Sequence, residues 1–222
     1  MIAPRSRTGT LRAFLGRLAR DDSGVAFIEM AYAAPFLMLL GLGGIEIANY
    51  AILHMRVSQI AVSLADNASR AKQEVVSGVP RMREVDVNEA FTAALLQAGQ
   101  LDMEANGRLI LSSLEVNADG GQWIHWQRCF GDAPYSSSYG EEGEGAVGTD
   151  LTGMGPAGRQ VQAEPGFAIM FAEVAYEYQP VILGDFIGDK KVSKVAAMFV
   201  RDNRDLSRLY NPAPGAAVND CD

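Results

Sequence analysis

The stretch that decides the fold runs Arg20-Asp21-Asp22-Ser23-Gly24, then Val25-Ala26-Phe27-Ile28-Glu29-Met30-Ala31-Tyr32-Ala33-Ala34-Pro35-Phe36-Leu37-Met38-Leu39-Leu40-Gly41-Leu42-Gly43-Gly44-Ile45-Glu46. Glu29 is the only charge among the 21 residues that follow Gly24. The run is of membrane grade, and a carboxylate inside such a segment costs roughly 2.5–3.5 kcal/mol on insertion scales. Something has to compensate Glu29, which makes it a functional candidate.

The uncharged part, Met30 to Ile45, counts 16 residues. As a helix it is about 24 Å long, short of a ~30 Å hydrocarbon core. Extended to residues 25–47 it spans comfortably, with Glu29 near one edge and Glu46 near the other. Upstream, Arg5, Arg7, Arg12, Arg17 and Arg20 against Asp21 and Asp22 give the leader, residues 1–24, a net charge of +3. By the positive-inside rule the leader stays cytoplasmic. The whole chain carries −8, so the remainder carries −8 − 3 = −11 and lies across the membrane. A secretory signal also begins basic and turns apolar. Here the small residues of a cleavage pattern, Ala31 and Ala33, precede most of the apolar run instead of following it. On hydropathy alone an uncleaved signal anchor stays open.

The helix is expected to continue past the membrane over residues 48–77. Ala48, Ile52, Met55, Val62 and Ala65 form one apolar stripe, while Arg56, Ser63 and Asn67 lie elsewhere on the cylinder. Ser77-Gly78-Val79-Pro80 is the expected stop, leaving one rod from Val25 to about Val76. Pro35 with Gly41, Gly43 and Gly44 predicts a kink or local unwinding in the membrane half.

Residues 81–222 are long enough for a core of their own. Asp86-Val87-Asn88-Glu89 fits a capping box opening a short helix that ends near Gly99. Leu109–Val116 and Gln122–Phe130 flank Asn117-Ala118-Asp119-Gly120-Gly121 and read as a hairpin. On its second strand, alternation puts Ile124, Trp126 and Phe130 on one face, opposite Trp123, His125 and Cys129. Phe167–Tyr178 and Val192–Val200 complete an antiparallel sheet packed on the long helix. Residues 135–164 are dominated by Gly, Ser, Glu and Pro, with Glu141, Glu142 and Glu144, and this composition predicts a mobile loop. Glu144 and Asp150 offer oxygens for calcium, but their spacing does not fit an EF-hand.

Gly24 followed by four apolar residues and Glu29 resembles the processing site of type IV prepilins, which a prepilin peptidase cuts after the glycine. More closely, residues 21–37 with Gly44-Ile45-Glu46 are similar to the start of TadE-like minor pseudopilins of tight-adherence (Flp-type) pilus systems. This likeness covers residue 17 to about residue 60. A second, less specific likeness lies in Glu173-Val174-Ala175-Tyr176-Glu177-Tyr178-Gln179-Pro180, Gly184-Asp185-Phe186-Ile187 and the strand from Val192 to Arg201. The resemblance implies an α+β, pilin-like fold, with Val25 as the N-terminus after cleavage and Glu29 pairing with that new amino group on a neighbouring subunit. It further implies an inner-membrane, single-pass protein with an extracytoplasmic C-terminal domain, able to enter a pilus. The implied partners are the membrane, a prepilin peptidase, other pseudopilins and an inner-membrane assembly platform.

Cys129 and Cys221 are the two cysteines. In an oxidising compartment an even number reads most simply as a disulfide, with two free thiols as the alternative. For catalysis the chain offers His54, next to the membrane segment, and His125, between two tryptophans on a strand; no nucleophile motif or carboxylate pair accompanies them. No phosphate-binding glycine loop, paired CxxC or HExxH is present, so no cofactor or metal is expected. A pI near 4.8 without a basic patch argues against nucleic acid. A single-pass envelope protein whose soluble domain binds a partner or ligand is the other functional reading.

Overall fold

The computed structural model describes residues 13–17, 19, 23–76, 78–182, 184, 188 and 190–221. Most of the basic leader, Ser77 of the expected helix stop, and Asp185, Phe186 and Ile187 of the C-terminal likeness lie outside the described residues. The fold is α+β: a long N-terminal apolar helix and a small antiparallel four-stranded sheet. The chain divides into two units, residues 1–48 and 49–222.

Helix α1, Ser23–Arg70, begins in the first unit and ends in the second. It is the one helix among the described residues that is long and apolar enough to cross a membrane. The expected unwinding is absent, because α1 stays helical through Pro35 and through Gly41, Gly43 and Gly44. A proline removes one backbone donor, and the surrounding turns retain theirs. In the first unit Phe27, Tyr32, Phe36, Leu39 and Ile47 are all exposed.

In the second unit the apolar stripe of α1 becomes core. Val57, Ile60, Ala61, Leu64, Ala65 and Ala68 are fully buried. Each large side chain among them stabilises by roughly 1.5–3 kcal/mol relative to exposure. The stripe is offset from the expected one, since Met55 and Val62 are exposed and Val57 and Leu64 take the inward positions. The helix also ends at Arg70, before the glycine and proline that were expected to stop it. Arg204 accounts for the earlier end, donating to the carbonyls of Ser69 (2.7 Å) and Ala71 (3.0 Å), which the helix leaves without intrahelical donors.

β1, Arg81–Arg83, leads into α2, Glu84–Ala98. The capping arrangement sits three residues earlier than expected: Asp86 is the third helical residue, and its carboxylate accepts from the Arg83 amide at 2.9 Å. A single turn, α3 (Met103–Asn106), precedes β2 (Gly107–Val116). β3 (Gln122–Phe130), β4 (Ile169–Glu177) and β5 (Lys191–Phe199) complete the main sheet in the order β3-β2-β4-β5. A last strand, β6 (Asp205–Tyr210), pairs in parallel with β1. This small second sheet was not foreseen.

The helical face of the main sheet carries Leu109, Leu111, Trp126, Met170, Ala172, Val174, Tyr176 and Val192, packed with the α1 stripe and with Phe91 of α2. The opposite face carries Leu114, Ile124, Ile169 and Phe171. Alternation along β3 therefore fails at one point. The register between β2 and β3 shifts after Ser113, where Trp126 pairs with Ser113 and Ile124 with Leu114. One extra residue on β3 flips everything before it, so Ile124 and Trp126 face opposite sides.

The segment 135–164 packs instead of hanging free. Met154 and Ala163 are buried with Leu114, Ile124 and Phe171, and Tyr139, Leu151 and Val161 pack around them. Tyr139 meets Phe171 edge-on at 5.5 Å. Five well-spaced apolar side chains cover a sheet face that no helix covers, a contribution invisible in average composition.

Candidate functional site

Gly24, Val25 and Glu29 lie on one face-exposed helical stretch, and each is exposed. A side-chain carbon at Gly24 would meet nothing within 4 Å. The first unit thus presents an open glycine and an accessible carboxylate five residues on. The same open space surrounds Gly41, Gly43 and Gly44, so the chain's own packing does not require their lack of side chains.

Cys129 on β3 and Cys221 in the tail stand at disulfide distance, with a Cα–Cα separation of 4.9 Å. The tail is held at several further points. Asn219 accepts from the Cys129 amide through its carbonyl (2.8 Å), and its side chain donates to Asn88 (2.8 Å). Beside the cysteine pair lies a polar groove of about 670 Å³ lined by Arg108, Gln127, Tyr135, Ser137, Glu142 and Asp220. Arg108 donates to the Gly131 carbonyl at 2.6 Å, while its Nε is buried without a partner.

Arg128 is the electrostatic hub of this region. Its guanidinium bonds Glu84 on α2 at 2.7 Å and Glu142 of the 135–164 segment at 2.9 Å. Glu173 on β4 performs a similar tie from the other side, accepting from the Ser137 hydroxyl and from the Ser138 amide (3.0 Å). Burial pushes the Glu173 carboxyl up from its ordinary value, against the pull of those two bonds and of Lys191. Asn117 closes the β2–β3 turn by accepting from the amides of Asp119 and Gly121, and donates to the carbonyls of Gly145 and Gly148.

His125 pairs with Glu115 at 2.9 Å, and Ser113 donates to the other oxygen of the same carboxylate at 2.7 Å. The carboxylate sits in the middle, so the serine hydroxyl is engaged by an acid and not by the imidazole. A relay that activates a nucleophile needs the imidazole in the middle. His54 packs edge-on against Tyr50, and burial, followed by the nearby Lys194, lowers its pKa from the ordinary value. Among the described residues no three His, Cys, Asp or Glu side chains are grouped to hold a metal. Glu144 and Asp150, the calcium candidates, both line a shallow depression of about 590 Å³ on the 135–164 segment.

Arg128 and Arg204 were not singled out in the sequence, and Asn117 and Glu173 were read only as parts of a turn and a strand, without the ties they make. Arg128 alone left a signal, as a lone cation inside a strand rich in aromatic residues. No family model, no curated protein and no solved structure matches this chain.

Proposed function

We propose that the protein is a minor pseudopilin of a tight-adherence (Flp-type) pilus or a related secretion apparatus, processed after Gly24 and acting through helix–helix assembly. The observation that carries this reading is the first unit's surface. An uninterrupted helix exposes Phe27 (80%), Leu39 (72%) and Ile47 (73%) around its circumference, and the exposed carboxylate of Glu29 stands five residues beyond an open glycine, whereas Glu46 near the other end is buried. An apolar surface of this kind requires lipid or neighbouring helices to cover it. The bare flanks of Gly41, Gly43 and Gly44 leave room for a neighbouring backbone to come close. Cleavage would create an α-amino group at Val25, and that amine on one subunit would neutralise Glu29 on the next, replacing hydration lost in the bundle.

In this reading the helix first resides in the inner membrane, leader inward and second unit outward. A prepilin peptidase, related pseudopilins and the assembly platform are its partners. Intact mass and N-terminal sequencing of the protein from its native membrane are expected to give a chain beginning at Val25. A chain retaining its leader would instead make it an uncleaved anchor. Glu29→Ala should leave the cut largely intact while reducing incorporation into the assembly, measured by co-purification with partner subunits.

A further inference from the structure

The two edges of the main sheet are finished differently. Along the outer edge of β3, the Ile124 amide donates to Glu144 and its carbonyl accepts from Gly143, the Gln127 amide donates to the Glu142 carboxylate, and the Cys129 amide donates to Asn219. Loop and tail close that edge. Among the described residues β5 has no strand beyond it, and its register with β4 is unbroken from Lys191 to Phe199. At its two ends, Tyr178 donates to Lys190 (2.8 Å) and Val200 donates to Ala168 (2.9 Å), which marks the even-numbered residues as facing β4. Antiparallel alternation then turns the amides and carbonyls of Lys191, Ser193, Val195, Ala197 and Phe199 outward. Among the described residues, no loop, tail or side chain bonds any of them. No proline or bulge blunts this edge, although natural sheets rarely leave one so regular.

Charge identifies what fits there. Residues 190–201 carry Lys190, Lys191, Lys194 and Arg201 and no acid, a local +4 in a chain of net −8. Between β5 and the end of α1 lies a groove of about 150 Å³ where Met198 and the half-exposed Phe199 adjoin Arg201 and the Arg70–Asp66 ion pair (2.7 Å), which leaves Arg201 as the groove's uncompensated cation among the lining residues. A second copy pairing through the same edge would set like charge against like. We propose that β5 is a docking edge for an extended acidic segment of a partner protein. The segment joins the sheet as a further strand, places one apolar side chain against Met198 and Phe199, and faces its carboxylates to Lys194 and Arg201. Main-chain bonds supply the affinity and the flanking cations the selectivity. This inference does not depend on the pilus reading.

The test is amide hydrogen exchange on the full chain in detergent, with a peptide of alternating valine and glutamate as the probe and its lysine counterpart as control. The expected result is exchange about tenfold slower at Ser193, Val195, Ala197 and Phe199 with the acidic peptide only, weakening as salt is raised. Ala197→Pro removes an outward donor that the free protein does not use, and should abolish the protection while native exchange elsewhere shows that the fold persists. Lys194→Glu with Arg201→Glu should abolish it without touching the backbone. No protection by the acidic peptide, or equal protection by the lysine peptide, overturns the proposal. Protection that rises with protein concentration in the absence of peptide makes a second copy the occupant and also overturns it.

Discussion

Arg128 holds three acids from different parts of the chain, Glu84, Glu142 and, at 3.5 Å, Asp220, and its removal leaves the buried Glu84 without a cation. Breaking such a pair from one side is far more costly than never having formed it. Arg128→Met is therefore expected to lower stability by about 3–5 kcal/mol, and adding Glu84→Gln should recover part of the loss, both read from urea unfolding midpoints. Glu173 makes a pH-dependent contribution of opposite character. Its folded pKa lies above the ordinary 4.5 because burial disfavours the charge. Between those two values the folded chain keeps a proton that the unfolded chain has released, so this group's contribution is full below the unfolded value and falls as pH rises through the folded one. Glu173→Gln stays neutral, so its unfolding free energy relative to the parent should climb across that window and level off above it. Parallel curves for the two proteins would show that Glu173 does not titrate as described.

At the scale of elements, the segment 135–164 behaves as a third layer. It is hydrogen-bonded through Glu142, Glu173 and Asn117 and packed through Met154, which is fully buried. A protease specific for glutamate should accordingly cut slowly at Glu141, Glu142 and Glu144 in the native protein. Met154→Ala, expected to cost about 2–5 kcal/mol, should accelerate those cuts by loosening the layer. Gly145 marks how closely the layer approaches the sheet: its φ is +76°, and a Cβ there would lie 2.2 Å from the Gln122 carbonyl. The four long strands and α2 were legible because period-two and period-3.6 patterns are local. The end of α1 and the flip within β3 were not, since Arg204 acts from 135 residues away and the extra residue on β3 leaves the hydropathy pattern unchanged.

For the whole molecule, the tail is fastened back to β3, and the cysteine pair closes a sequence separation of 92. Loop-closure entropy gives such a link roughly 4–5 kcal/mol. Reduction, or Cys221→Ser, should lower the unfolding midpoint correspondingly and speed exchange of the Cys129 amide, which the tail covers. If the midpoint is unchanged, the remaining tail contacts at Asn88 hold without the bond.

Sequence alone determined the membrane-grade helix, the spacing of Gly24 to Glu29 and the four-strand pattern, because each follows from local hydropathy, chain chemistry and repeat. It also held the two cysteines without saying that β3 and the tail bring them together. Tertiary structure decided where α1 stops, which face of β3 each side chain takes, that a glycine-rich segment seals one side of the sheet, and that one edge is closed while the other stays open. Those outcomes depend on hydrogen-bond donors and apolar surfaces supplied by residues far apart in the chain, which find each other only when the sheet has formed.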